Sequence, residues 1–257
     1  MAATGEVSSA GPAVAGALAR RPGARERGAG LLLSGLFAAW LIWLFDALNN
    51  LAPVRQQLAE RDGERVLDFE RSLQLAPEHA LNAWLAAHAE LSRIVVFWYA
   101  NVHVGAIVAV LAWLWWRRPD LLPVMVSTWM IVSALALAVF WTFPTAPLRM
   151  LPGGYVDLVS AVHGLPVWQR GATALDSNQL CSLPSLHVAG AVWCSIAVWQ
   201  ITSRRWLRVA AAIYPLLTTF AVMSTANHYL LDAVTGAGAT LVVFFAMRRV
   251  FSRPQAA

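Results

Sequence analysis

The chain has 257 residues, of which 58% are hydrophobic and 13% are charged. A water-soluble domain is nearer half apolar and a quarter charged, so composition argues against an ordinary soluble protein and points to the membrane before any segment is located. The formal charge of +5 has no lysine behind it; all 19 basic residues are arginine, and where they stand says more than their sum.

Residues 1–29 are rich in Ala, Gly and Ser and carry Arg20, Arg21, Arg25 and Arg27. This composition predicts a disordered basic tail. The run "LLLSGLFAAWLIWLF" that follows lacks a clear small-residue cleavage site, and is expected to be a retained helix rather than a cleaved signal. A spanning helix needs about 20 mostly apolar residues. Six segments meet or approach that length: roughly 30–48, 94–116, 121–143, 186–203, 206–226 and 228–247. The expected architecture is therefore an all-α integral membrane protein with six transmembrane helices, a domain spanning 30–250 and a short tail at 251–257.

Arginine clusters set the expected orientation. They precede the first segment, follow the second (Arg117, Arg118), follow the fourth (Arg204, Arg205, Arg208) and follow the sixth (Arg248, Arg249, Arg253). With six crossings all the clusters fall on one side, which the positive-inside rule makes cytoplasmic. Both termini are then cytoplasmic, in the plasma membrane, and the loops 49–93 and 144–185 face outward. Within the first of these loops, "ERVLDFERSLQL" and "EHALNAWLAAHAEL" place apolar residues at helical spacing, with Leu81, Trp84, Leu85 and His88 on one stripe. They predict amphipathic helices that lie on the outer membrane surface or cap the bundle. The two cysteines, Cys181 and Cys194, are expected to be separate thiols, since a helix starting near Pro184 carries them beyond disulfide reach.

Three stretches have the residue types of phosphate chemistry. In "SLPSLHVAG", Pro184 fits the first turn of a helix, with Ser182 or Ser185 capping it. Such a start offers unpaired backbone N–H groups to an anion, and His187 stands beside it. In "STANHYLLDAVTG", His228 and Asp232 are four residues apart, on one face if the segment is helical. A carboxylate there fixes one imidazole nitrogen and leaves the other as nucleophile or base. The predicted topology brings both histidines to the outer side. In "FPTAPLRMLPGG", Arg149 is suited to hold a phosphate through paired hydrogen bonds, with Arg170 as a second candidate. His103 and Asn101 either line a cleft or bond to a neighbouring helix, the second being preferred. Nothing in the sequence fixes a role for His163 or Asp157.

"LPSLH" resembles the Pro-Ser-Gly-His motif of the type 2 phosphatidic acid phosphatase superfamily, and "NHYLLD" resembles the end of its third motif. The spelling, with "FPTAPLR" ahead of it, is most similar to the branch named for inositol phosphorylceramide synthase. That resemblance implies His228 as nucleophile, Asp232 orienting it, His187 as general acid and then base, and Ser185 with nearby N–H groups on the phosphate, without a metal or other cofactor. Two motifs depart from the pattern: Ala221 and Val222 stand where the third motif has Ser-Arg, and the lysine of the first motif is missing. Arg149 is expected to supply the positive charge. The implied partners are a lipid phosphate from the bilayer and, in the transfer case, an alcohol acceptor such as inositol; no nucleic-acid partner is expected. Hydrolysis is favoured over transfer. A reading of another class is a membrane electron carrier, with haem ligated between histidines such as His103, His187 and His228.

Overall fold

A computed structural model describes residues 43–163 and 178–251. The expected tail 1–29, most of the first expected span, Arg170 and the last six residues lie outside the described residues. The described chain is helical, with no strand and one isolated parallel bridge between Thr145 and Cys181. Residues 43–50 are helical, followed by α1 (Gln56–Ser72), α2 (Glu78–Ala86) and α3 (Ala89–Phe97). A π-helical turn, Trp98–Val102, joins α3 to α4 (His103–Arg117). Then come α5 (Leu122–Thr142), the short α6 (Leu158–His163), α7 (Leu186–Ile201), α8 (Arg205–Ser224) and α9 (Leu230–Phe251).

Among the described residues, four helical runs are long and apolar enough to cross a membrane: Ala89–Arg117, Pro119–Thr142, Arg205–Ser224 and Leu230–Phe251. They display Val108, Leu135, Leu216, Val242 and other large apolar side chains outward, the surface a hydrocarbon solvent requires. The segment expected at 186–203 is the shorter helix α7, of 16 residues. At 1.5 Å per residue it is ~24 Å long, under the ~30 Å hydrocarbon thickness. Its place explains its length: α4, α5, α8 and α9 all pack against it, and Val188, Ala189, Ala191, Trp193, Cys194 and Ala197 are buried among them. The buried Trp193 indole donates to the Met125 carbonyl of α5 at 2.8 Å.

Small residues let this packing close. A Cβ on Gly236 of α9 would fall 2.3 Å from the Ser185 carbonyl oxygen, and one on Gly190 of α7 would fall 2.4 Å from His103 Cε1. Both distances are well inside van der Waals contact, so the two glycines are what allow α9 and the His103 ring to lie against α7.

Of the two arrangements expected for the outer loop, capping is the one found. Ala59, Val66 and Leu67 of α1 pack with Ala146, Leu148, Leu151, Leu180, Ala226 and Tyr229, the loops at one end of the bundle. The stretch 78–91 is not one helix, because α2 ends at Ala86 and α3 begins at Ala89. Its expected stripe divides accordingly: Leu81 and Leu85 pack inward, while Trp84 and His88 face outward with their rings 4.7 Å apart. At the other end of the bundle Arg118 donates to the Gln200 carbonyl and Arg208 to the Thr202 carbonyl. These arginines therefore gather at the end remote from the cap.

Candidate active site

The capped end is where the loop before α7 meets the loop before α9. Ser185 is the N-cap of α7, its hydroxyl oxygen accepting from the Val188 N–H at 3.4 Å. Pro184 therefore precedes the cap instead of occupying the first turn. Ser185 is fully buried, and its own N–H donates to the Asp232 carbonyl at 3.0 Å. That backbone donor is thus committed to holding α7 against α9.

His228 also sits differently from its sequence expectation. It lies just before α9, not inside it; the N–H groups of Asn227 and His228 both point back to the Val222 carbonyl, at 3.1 and 3.2 Å. Asp232, in the first turn of α9, still reaches it. Asp232 Oδ2 accepts from the Tyr229 N–H at 3.1 Å, from the Ser182 hydroxyl at 2.6 Å and from His228 Nδ1 at 3.1 Å. The carboxylate therefore does the work of a helix cap and of a histidine anchor together.

The tautomer of His228 follows from its neighbours. Nδ1 lies 2.9 Å from the Ser182 carbonyl oxygen and 3.1 Å from Asp232 Oδ2. A carbonyl oxygen only accepts, so Nδ1 carries the hydrogen. The lone pair of the neutral ring is then on Nε2, the state a nucleophile or base requires.

His187, in the first turn of α7, brings its ring centroid to 5.8 Å from that of His228. It is held from the side by aromatic contacts: Tyr99 stacks on it at 4.6 Å with the planes 21° apart, and His103 lies at 4.7 Å. Tyr99 belongs to the π-helical turn and His103 directly follows it. A π turn adds a residue to one coil of the helix and re-aims the side chains on either side of it. His103 was expected to bond a neighbouring helix; instead its Nδ1 is buried without a hydrogen-bond partner among the described residues, and the ring packs on His187.

Arg149 is brought to the same loops. Its N–H donates to the Ala226 carbonyl at 3.0 Å, and its guanidinium donates to Asn227 Oδ1 and, at 3.2 Å, to Gln179 Oε1. Asp157 lies 3.7 Å from Arg149 Nε, so one face of the guanidinium is partly neutralised. Val222, at the position where the motif carries arginine, is fully buried in α8. Cys181 and Cys194 are separate thiols as expected; burial pushes the Cys181 thiol up to about 11, a poor nucleophile.

The sequence reading missed Ser182 as the third partner of Asp232, and Tyr99 as the stacking partner of His187. It also missed Glu70 and Glu78, whose carboxylates accept from the first N–H groups of α9: Glu78 Oε1 from Leu230 at 2.8 Å and Glu70 Oε1 from Leu231 at 2.5 Å. A signal was present for Glu70. It continues the stripe of Ala59, Gly63, Val66 and Leu67 that forms the buried face of α1, where a carboxylate needs a partner.

A family model described as the PAP2 superfamily matches residues 64–246, from α1 to near the end of α9, and takes in every residue of this site. The chain belongs to the PAP2 superfamily. Members of that superfamily are phosphatases or phosphotransferases, so the chain belongs among enzymes of phosphoryl transfer. No curated protein and no solved structure gives a significant match.

Proposed function

We propose that this PAP2 superfamily member is a membrane lipid-phosphate phosphatase that works through a phosphohistidine on His228. The observation that carries the proposal is the Nδ1–H of His228 held by Asp232 and the Ser182 carbonyl, with His187 alongside. In the first step His228 Nε2 attacks phosphorus, the bond from phosphorus to the lipid oxygen breaks, and His187 gives that oxygen a proton. In the second, His187 takes a proton from water as the water oxygen attacks, the P–N bond breaks, and phosphate leaves with His228 restored. Asp232 stabilises the imidazole as it gains positive charge. Arg149, the start of α7 and the Ser185 hydroxyl meet the phosphate oxygens.

The apolar faces of α4 and α8 support a lipid as the substrate. Trp98, Tyr99, Tyr214 and Thr218 close around His187 between α4 and α8, and an acyl-bearing molecule entering from the bilayer would have to part them. We place the site on the extracytoplasmic side of the plasma membrane, with six crossings and both termini inside; the gathering of Arg118 and Arg208 at the opposite end supports that orientation. The haem-carrier reading draws no support from the superfamily match, whose members are phosphatases or phosphotransferases.

A second reading, transfer of a substituted phosphate to inositol or another alcohol, is favoured by one observation. Arg149 shares its charge with Asp157, which suits a singly charged phosphodiester better than a doubly charged monoester. The test is phosphate release from a panel of lipid phosphates and pyrophosphates by the purified protein and by His228→Ala. Release that vanishes in the variant is expected. No phosphate release, with a new phosphoester and free lipid alcohol formed once an alcohol acceptor is supplied, overturns hydrolysis in favour of transfer.

A further inference from the structure

α9 begins at the residues that carry the chemistry, and its first two N–H groups end on carboxylates from another part of the chain. Leu230 N–H donates to Glu78 and Leu231 N–H to Glu70, across 152 and 161 residues of sequence. Both carboxylates are buried, and neither has a cation among its described hydrogen-bond and ion-pair partners. Their outer oxygens, Oε2 in each case, receive no donor from any other described group, while the two side chains lie within hydrogen-bonding reach of each other. Two adjacent buried carboxylates do not both ionise without a large penalty. One proton shared between the two side chains removes it, leaving each Oε1 to accept from α9.

We propose that Glu70 and Glu78 form a one-proton carboxylate clamp that fixes the start of α9 and so positions His228 and Asp232 for reaction. The clamp ties the cap helices α1 and α2 to the site, and it acts through Asp232 and His228, not on the substrate. The positioning role rests on the phosphohistidine reading; the shared proton does not.

The groups facing the pair are Asp232 from α9, Tyr229 before it and Tyr155 from the loop after α5, while Arg71 on α1 and His79 on α2 lie nearby without pairing to it. Among the described residues, no positive group is paired with either carboxylate. Burial, with Glu78 and Asp232 adding repulsion, pushes Glu70 up to about 8, and burial raises Glu78 as well. A carboxyl raised above its unfolded value stabilises the fold fully at pH values below about 4.5. That contribution is lost as pH rises to about 8, where the proton leaves and the clamp opens.

Amides separate the one-proton arrangement from ordinary packing. In Glu70→Gln, the amide oxygen accepts from Leu231 and the NH2 donates to Glu78, so the variant imitates the protonated pair at every pH. In Glu70→Gln/Glu78→Gln the two NH2 groups face each other and the arrangement fails. The experiment measures kcat and KM against pH, and thermal unfolding against pH, for the full-length protein in detergent or lipid nanodiscs with Glu70→Gln, Glu78→Gln, the double variant and Glu70→Ala. Glu70→Gln is expected to rescue turnover and to move the alkaline limb above pH 8. Glu70→Ala and the double variant are expected to lose kcat by roughly 10²-fold with little change in KM, the cost of a displaced catalytic group. The unfolding midpoint of wild type is expected to fall between pH 5 and 8, and that of Glu70→Gln to stay flat. A double variant as active as the singles, or an alkaline limb unmoved in Glu70→Gln, overturns the positioning role. A wild-type midpoint that does not fall overturns the shared proton. A wild type that turns over no phosphoester, yet shows the falling midpoint that Glu70→Gln abolishes, overturns the phosphohistidine reading and the positioning role with it, and leaves the shared proton standing.

Discussion

Asp232 gathers three donors on a single oxygen, and each has a separable consequence. Asp232→Asn retains the shape but puts an NH2 or a neutral oxygen against His228 Nδ1, which lets the ring turn to the wrong tautomer. Turnover is expected to fall by ~10²-fold or more, with substrate binding largely unchanged, as read from kcat and KM. Ser182→Ala removes the 2.6 Å bond to Asp232 while sparing the carbonyl that fixes His228. The buried loss is expected to cost about 1–3 kcal/mol of stability by thermal or denaturant unfolding, with a smaller fall in kcat than in Asp232→Asn. If Ser182→Ala matches Asp232→Asn in activity, the hydroxyl acts on the substrate, not on the aspartate.

At the scale of elements, two helix starts and one irregular turn bring the histidines together. α7 and α9 meet where the Ser185 N–H finds the Asp232 carbonyl, and Gly236 is the residue that permits that approach. Gly236→Ala must displace backbone, not a flexible side chain. It is expected to destabilise the fold by about 1–3 kcal/mol and to reduce turnover more than binding, measured by unfolding and steady-state kinetics on the same preparation. The helical cores and the two motifs were legible in the sequence because each depends on residues within a few positions of one another: an apolar run, a serine at a helix start, a histidine four residues from an aspartate. Details at the junctions were not. Pro184 stands before the cap because Ser185 takes that place, and His228 precedes α9 because its N–H turns back to Val222. The stacking of Tyr99 on His187 depends on the π-helical turn at Trp98–Val102, which no periodicity announces. Glu70 and Glu78 were hidden for another reason: their partners lie more than 150 residues away, and only tertiary packing makes the bond.

Among the described residues, a polar site sits at one end of an apolar bundle under a helical cap, with Arg118 and Arg208 at the other end. This polarity gives a test of orientation that does not depend on activity. Gln74, just beyond α1, and Arg204, just before α8, are both exposed and belong to opposite ends. With Cys181 and Cys194 replaced by serine, Gln74→Cys is expected to react with an impermeant thiol reagent added outside intact cells, and Arg204→Cys only after the membrane is opened. The reverse pattern places the site in the cytoplasm and its substrate in the inner leaflet.

Covalent phosphorylation of His228 is tested by quenching the purified protein during turnover of a lipid phosphate and mapping the phosphorylated residue by mass spectrometry. An acid-labile, alkali-stable phosphoryl group on His228, absent from His228→Ala, is the expected result. Turnover with no phosphoryl group on His228, sustained in His228→Ala, would contradict it.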